Sequence, residues 1–276
     1  MSEKRTQQLL ILCGVAVAVF FFLTPVVHMV LTGLSTSPDF LGPRTSFTAT
    51  AKHFVDIFRG EQLHFLAFLR NSLIVSSISA ILCVSISSMA AYAITRISFR
   101  GNMTLMLIVL AISMFPQISL AGYLFRLISS LGWINTYQGL IFPYTAWIIP
   151  LSLWIQVSYF AQIPRELDKA AKVDGCNNWQ ILTRVVFPVA LPGVFSTALL
   201  AFIFAFNEFM FALMLTTDYR ARTVPVGIAL FEGLHGEIPW STIMAAATIT
   251  TAPVVVLTLL FQRYIIQGLT RGAIKG

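Results

Sequence analysis

Apolar residues fall along this chain in long runs, separated by short polar stretches rather than by strand-like alternation. A helix of about 20 apolar residues spans the hydrocarbon core of a bilayer. Runs of that kind stand at 9–34, 69–95, 103–128, 138–160, 193–216 and 241–265. They predict an all-α integral membrane protein of about six transmembrane helices, a single domain over 1–276. The first run follows a charged start, as a signal peptide does. It is too long for one, and no small-residue cleavage site closes it, so it reads as a span. The segment 35–68, rich in Ser, Thr and Pro ahead of the amphipathic K-H-F-V-D-I-F-R-G-E, is expected outside, along the membrane surface.

The polar intervals set the orientation. Of the 18 lysines and arginines, eleven cluster at the termini and in the intervals 96–102 and 161–192 or close by, and seven lie on the other side. Positive loops stay in the cytoplasm, so both termini and the loop 161–192 are expected inside. The loop 217–240, with T-V-P-V-G and G-L-H-G-E-I-P-W as turn formers, is then external. It is either a contact for a binding protein or a plain solvated loop.

Within 161–192, Pro164 suits the start of a helix, where its missing N–H costs nothing. Leu167, Ala170, Ala171 and Asp174 recur at helical spacing as a narrow face of small residues. Arg165, Glu166, Asp168, Lys169 and Lys172 lie around the remainder. Gly175 is a left-handed terminator. Asn177 and Gln180 have capping-box spacing for a second short helix, which Pro188 is expected to end. A short helix with alanines on its docking face approaches another surface closely, which nothing inside a bilayer requires.

Composition agrees with a membrane protein. Hydrophobic residues make up 57% of the chain and charged residues 11%, against about 25% charged in ordinary soluble domains. The net charge of +7 comes without a basic run or aromatic–basic interleaving, so it signals cytoplasmic loops rather than nucleic-acid binding. Cys13, Cys83 and Cys176 form neither a disulfide framework nor a metal set. The chain contains no Gly-Lys-Ser/Thr, no H-E-x-x-H among its histidines and no G-x-S-x-G. It is therefore not read as an enzyme, and no cofactor or metal is expected within it.

Glu208, beside Asn207 in the fifth run, is the notable intramembrane acid. It either lines or gates a path, or makes a structural hydrogen bond or ion pair, for example to Arg126. The serines of the second run, Ser72 to Ser88, either line a polar path or pack helices closely. Pro116, Pro143 and Pro150 would kink or loosen their helices.

The stretch E-L-D-K-A-A-K-V-D-G with its later prolines resembles the cytoplasmic loop of permease subunits in binding-protein-dependent ABC importers. Glu166, Leu167, Ala170, Ala171, Asp174, Gly175, Pro188 and Pro192 match; Lys169 stands where that pattern has glutamate, and favours an acidic partner instead. N-S-L-I-V-S at 71–76, A-Y-A-I-T-R-I-S-F-R-G at 91–101, M-F-P-Q-I-S-L at 114–120, L-G-W-I-N-T-Y-Q-G-L-I at 131–141, F-N-E-F at 206–209 and G-L-T-R-G-A-I-K-G at 268–276 are similar to the carbohydrate-uptake branch. The resemblance implies a coupling helix between spans four and five that sits in an ATPase cleft, through Glu166 to Ala171 with Asp174 and Gly175. It implies a sister permease subunit, two ATPase subunits that bind ATP and Mg, and an external solute-binding protein. The cargo would be a sugar, a disaccharide such as trehalose or maltose. The location would be a bacterial or archaeal cytoplasmic membrane. The rival from another class is an ion- or proton-coupled carrier using Glu208.

Overall fold

The structure is a computed structural model that describes residues 3–36, 48–59, 64–97, 99–231 and 238–273. Its elements in chain order are α1 (Glu3–Gly33), α2 (Lys52–Arg59), α3 (Phe65–Arg96), α4 (Asn102–Ser113), α5 (Gln117–Ser130) and α6 (Tyr137–Ala161). They are followed by α7 (Arg165–Val173), α8 (Asn178–Ile181), a π-helical turn (Leu182–Val186), α9 (Phe187–Phe206), α10 (Met210–Leu215), α11 (Val224–Ala229) and α12 (Trp240–Ala273). Among the described residues the only extended pairing is an isolated bridge between Ser35 and Ala49. The all-α expectation holds. Among the described residues five helices are long and apolar enough to cross a membrane, or six if α4 and α5 are counted as one bent span.

Contacts divide the chain into two compact units, Met1–Leu66 with Ile228–Ala252, and Ala67–Gly227 with Pro253–Gly276. In the first unit the end of α1 runs close to the first half of α12. A Cβ added at Gly33 would lie 3.0 Å from the Ala245 nitrogen and 3.2 Å from the Phe54 ring. Ser241 Oγ donates to the Ser35 carbonyl at 2.8 Å, and the amphipathic α2 buries Ile57. The parts of 35–68 at 37–47 and 60–63, and the G-L-H-G-E of the later loop, lie outside the described residues.

The second unit holds the features that place the site. Thr136 caps α6, its Oγ1 accepting from the Gly139 N–H at 3.3 Å. Pro143 and Pro150 sit within α6, which continues unbroken from Tyr137 to Ala161. The third apolar run does break. Pro116, extended at φ −65° and ψ 129°, caps α5, and α4 and α5 meet at 90°. A proline ring denies the preceding residue an α conformation, and the apolar residues on both arms conceal the turn.

The fifth span also departs from expectation. Pro188 does not end the helix that opens at Asn177; the helical path runs from Asn178 to Phe206. Pro188 has no N–H for the turn before it, and just ahead of it the chain widens into the π turn, where the Phe187 N–H reaches the Leu182 carbonyl. A π turn absorbs a residue that breaks the regular ladder. At the other end α9 stops at Phe206 and α10 begins at Met210, so the run 193–216 is two helices.

Two apolar clusters hold this unit together. One joins α3, α6, α9 and α10 around Val75, Tyr144, Phe206 and Phe211. The other joins α3, α6 and α9 to the loop helices around Tyr92, Phe160, Ala171 and Ile181. α6 and α9 cross at Gly193, where a Cβ would fall 2.3 Å from Tyr159 Cγ. Ser72, Ser76, Ser79, Ser87 and Ser88 of α3 are buried within the chain, and Ser77 and Ser85 are exposed. Ser79 Oγ donates to the Ile141 carbonyl at 3.4 Å, and Ser88 Oγ donates to Gln156 Oε1 at 2.6 Å.

Candidate functional site

α7 projects beyond the end of α6 as a short helix with two distinct faces. Its C-terminus is a Schellman closure built around Gly175 at φ +82°. The Cys176 N–H reaches the Ala171 carbonyl at 2.9 Å, and the Gly175 N–H reaches the Lys172 carbonyl at 3.1 Å. A left-handed residue there favours glycine because it has no Cβ to clash. Pro164 stands one position before the first helical residue, as the N-cap. α8 follows at once with both bonds of the capping box, Gln180 N–H to Asn177 Oδ1 and Asn177 N–H to Gln180 Oε1, each 2.9 Å.

Residues three apart on α7 share a face, and Arg165, Asp168 and Ala171 form the inner one. Arg165 donates to the Thr95 carbonyl at 3.0 Å. Asp168 Oδ2 lies 3.0 Å from Arg96 Nε, with side-chain exposures of 13% and 4%. Arg96 also donates to the Ile163 carbonyl at 2.8 Å. Ala171, expected on the outer small-residue face, is instead buried against the chain's own apolar cluster. Asp168, expected around the exposed remainder, is turned inward for the same reason: a buried arginine at the end of α3 needs a counter-charge.

The outer face carries Glu166, Leu167, Lys169, Ala170, Val173 and Asp174, all exposed. Val173 is 88% exposed and Trp179 of α8 60%. Two small cavities flank the entry to α7. One of about 260 Å³ lies beside Arg96, Asn102 and Arg165, and one of about 240 Å³ beside Tyr159, Pro164 and Gly193. Helix, turn and capping box therefore form a rigid bracket that shows charged and apolar groups outward.

Glu208 occupies the break in span five. Oε1 accepts from the Phe211 N–H at 2.8 Å and Oε2 from the Ala212 N–H at 3.1 Å, so the carboxylate satisfies the orphan donors that open α10. Among the described residues the ion pairs are Arg96–Asp168 and Arg220–Asp218, so the partner suggested at Arg126 is not the one used. Asn207, exposed, donates back to the Ile203 carbonyl at 2.8 Å.

At the end of α3 remote from Arg96, the fully buried Asn71 donates to the carbonyls of Tyr219 and Arg222 at 2.9 and 3.0 Å and accepts from Tyr137 Oη at 2.7 Å. Ser72 Oγ accepts from the Val224 N–H at 2.8 Å. Asn135, left-handed at φ 59°, clasps the same loop, donating to Asp218 Oδ1 at 2.8 Å and accepting from the Thr217 and Asp218 N–H groups. The Asn135 bond and the Arg220 N–H hold the Asp218 carboxyl below the usual carboxylate range. Asn71, Arg96 and Asn135 were not singled out by spacing; each acts through partners remote in sequence.

Helices of membrane length carry a short loop helix that is strapped on its inner face and exposed on its outer one. The chain belongs to the binding-protein-dependent transport system inner membrane component family, whose model matches residues 68–271, and is thus an ABC-importer permease of the inner membrane. It is 52% identical over 277 residues, the full length of both, to the trehalose/maltose transport system permease protein MalG of Thermococcus litoralis. It is 41% identical over 230 residues, 83% of each, to the trehalose transport system permease protein SugB of Mycobacterium tuberculosis. Its fold matches a chain of a bacterial ABC transporter that imports the acidic polysaccharide alginate, with TM-score 0.78 and 17% identity over 96% of this chain and 98% of that one.

Proposed function

We propose that this chain is one of two permease subunits of an ATP-driven importer for a sugar, a disaccharide of the trehalose or maltose kind. The single observation that carries the docking half is the outer face of α7 and α8. Leu167, Val173 and Trp179 stand exposed on a loop otherwise polar, on a bracket whose inner face is already engaged. An apolar set in that position is covered by a partner, and the partner proposed is an ATPase subunit. Lys169 faces an acidic group there and Glu166 a basic one. The relatives named for trehalose and maltose support the cargo.

In this reading both termini and α7 lie in the cytoplasm, and an external binding protein delivers the sugar. Closure of two ATPase subunits, which bind ATP and Mg, moves α7 and alternates access to a cavity shared with the sister permease. Asn207 and Glu208, at the break in span five, are its candidates for the path. Glu208 has both oxygens committed to backbone donors, which gives it a structural role that needs no ion gradient. Purification of the tagged chain from its native membrane in mild detergent tests the assembly. A second permease and an ATPase in fixed ratio are expected; a stable chain alone would overturn the proposal.

A further inference from the structure

α3 is tied at both ends, and the two ties differ in kind. At one end Arg96 meets Asp168 of α7 and the Ile163 carbonyl, while Arg165 of α7 reaches the Thr95 carbonyl. At the other end Asn71 and Ser72 hold the loop 216–224 through two of its carbonyls and one N–H. The two ends are separated by roughly 25 residues, about 38 Å of helix.

Between them α3 is bonded sideways to α6. Ser88 Oγ donates to Gln156 Oε1 at 2.6 Å, Gln156 Nε2 donates to the Val84 carbonyl at 3.2 Å, and Cys83 Sγ donates to Ser152 Oγ at 3.1 Å. These groups are buried. Sliding α3 along α6 would leave them unpaired in a low-dielectric interior, where each such loss is costly. α3 and α6 therefore move as one stiff pair.

We infer that Arg96 and Asp168 are positioning residues that carry motion of the docking helix into α3, and that α3 with α6 delivers it to the loop 216–224 at the opposite membrane face. Asp168 thus acts inward, on its own chain, while the ATPase contacts fall to Glu166, Leu167, Lys169, Ala170 and Val173. The inference rests on the importer reading and deepens it. Without the ion pair, α7 keeps only the Arg165–Thr95 bond and the packing of Ala171 as side-chain ties to the spans. The docking helix then tilts under load, and hydrolysis proceeds without transport.

The test is a double-mutant cycle, Arg96→Gln and Asp168→Asn, in the co-purified complex reconstituted in proteoliposomes with its binding protein. The readout is ATP hydrolysed per sugar transported. Each single substitution leaves a buried partner unpaired and should raise that ratio about tenfold, within the usual range of coupling effects. The double variant should be no worse than either single one. A fluorophore on a Tyr219→Cys background should report an ATP-dependent change that both single variants lose. If a single variant fails to assemble, the double must restore assembly, since the unpaired charge is then gone. The inference is overturned by wild-type ratios in all four members, by effects that multiply, or by a double variant that stays unassembled. Absence of ATP-dependent uptake in the wild-type complex would instead overturn the importer reading itself.

Discussion

Gly193 lies where α9 crosses α6, and a single methyl there tests the packing that positions α7. An added Cβ would sit 2.3 Å from Tyr159 Cγ and 2.5 and 2.6 Å from the two Cδ atoms. Ordinary carbon contacts begin near 3.5 Å, so ring and methyl must separate by about 1 Å. Cγ is the root of the ring, one bond from its own Cβ. It retreats only if χ1 leaves its well or α6 shifts away from α9, and both are overpacking responses that cost about 1–3 kcal/mol. Three close contacts on a half-buried ring place Gly193→Ala in the upper part of that range. At about 2–4 °C per kcal/mol for large domains, the purified protein should lose roughly 4–10 °C in a detergent melting assay. In a Tyr159→Ala background the same methyl should cost less than about 0.5 kcal/mol, since the obstructing ring is gone. An unchanged melting temperature, or an equal loss with and without the ring, would refute the reasoning. Because α6 leads directly into α7, the single variant should also recover less ATPase subunit on purification.

Ala170→Arg should leave the melting temperature of the chain expressed without its ATPase within about 2 °C and block ATPase co-purification from the native membrane, because Ala170 is exposed on the outer face and such surface changes are worth about ±0.5 kcal/mol; normal co-purification would remove that face from the docking surface. Glu208→Gln keeps an acceptor for the α10 cap and should retain uptake. Glu208→Ala leaves the Phe211 and Ala212 N–H groups without their acceptor and should destabilise by about 1–3 kcal/mol, read as a lower melting temperature; abolished uptake in a stable Glu208→Gln protein would return the charge to the mechanism. Asp218 is held below the usual carboxylate range, first by Asn135 and then by the Arg220 N–H. A depressed native value means the ionised clasp contributes stability above the unfolded carboxylate value and loses it as pH falls through the depressed one. Amide exchange at Thr217 and Arg220 should therefore stay slow from pH 7 down to ordinary carboxylate titration and quicken only below it, whereas Asp218→Asn should show no such step.

The spans were legible where an apolar run is a single unbroken helix. The runs 69–95 and 138–160 became Phe65–Arg96 and Tyr137–Ala161, since length against a bilayer leaves little freedom. The run 103–128 hid a right-angle turn at Pro116 because both arms are apolar, and hydropathy has no term for direction. Pro188 read as a stop because a missing N–H ends an ordinary helix; a π turn before it carried the helix through. In the candidate site, the Gly175 terminator and the Asn177–Gln180 box were readable because both are local. The inward turn of Asp168 and Ala171 was not, because it depends on Arg96, far away in sequence. A charge beside a helix is taken as solvated until its partner is known. Glu208 stood out as an acid in lipid, yet its role as a cap depended on a helix break at 207–209 that apolar flanks concealed.

Uptake of radiolabelled trehalose and maltose into proteoliposomes containing the co-purified complex and its binding protein tests the central claim most directly. The account predicts accumulation that requires ATP on the α7 side, persists when a protonophore collapses the proton gradient, and is lost with Ala170→Arg. Accumulation by this chain alone, driven by an ion gradient and indifferent to ATP, would contradict it.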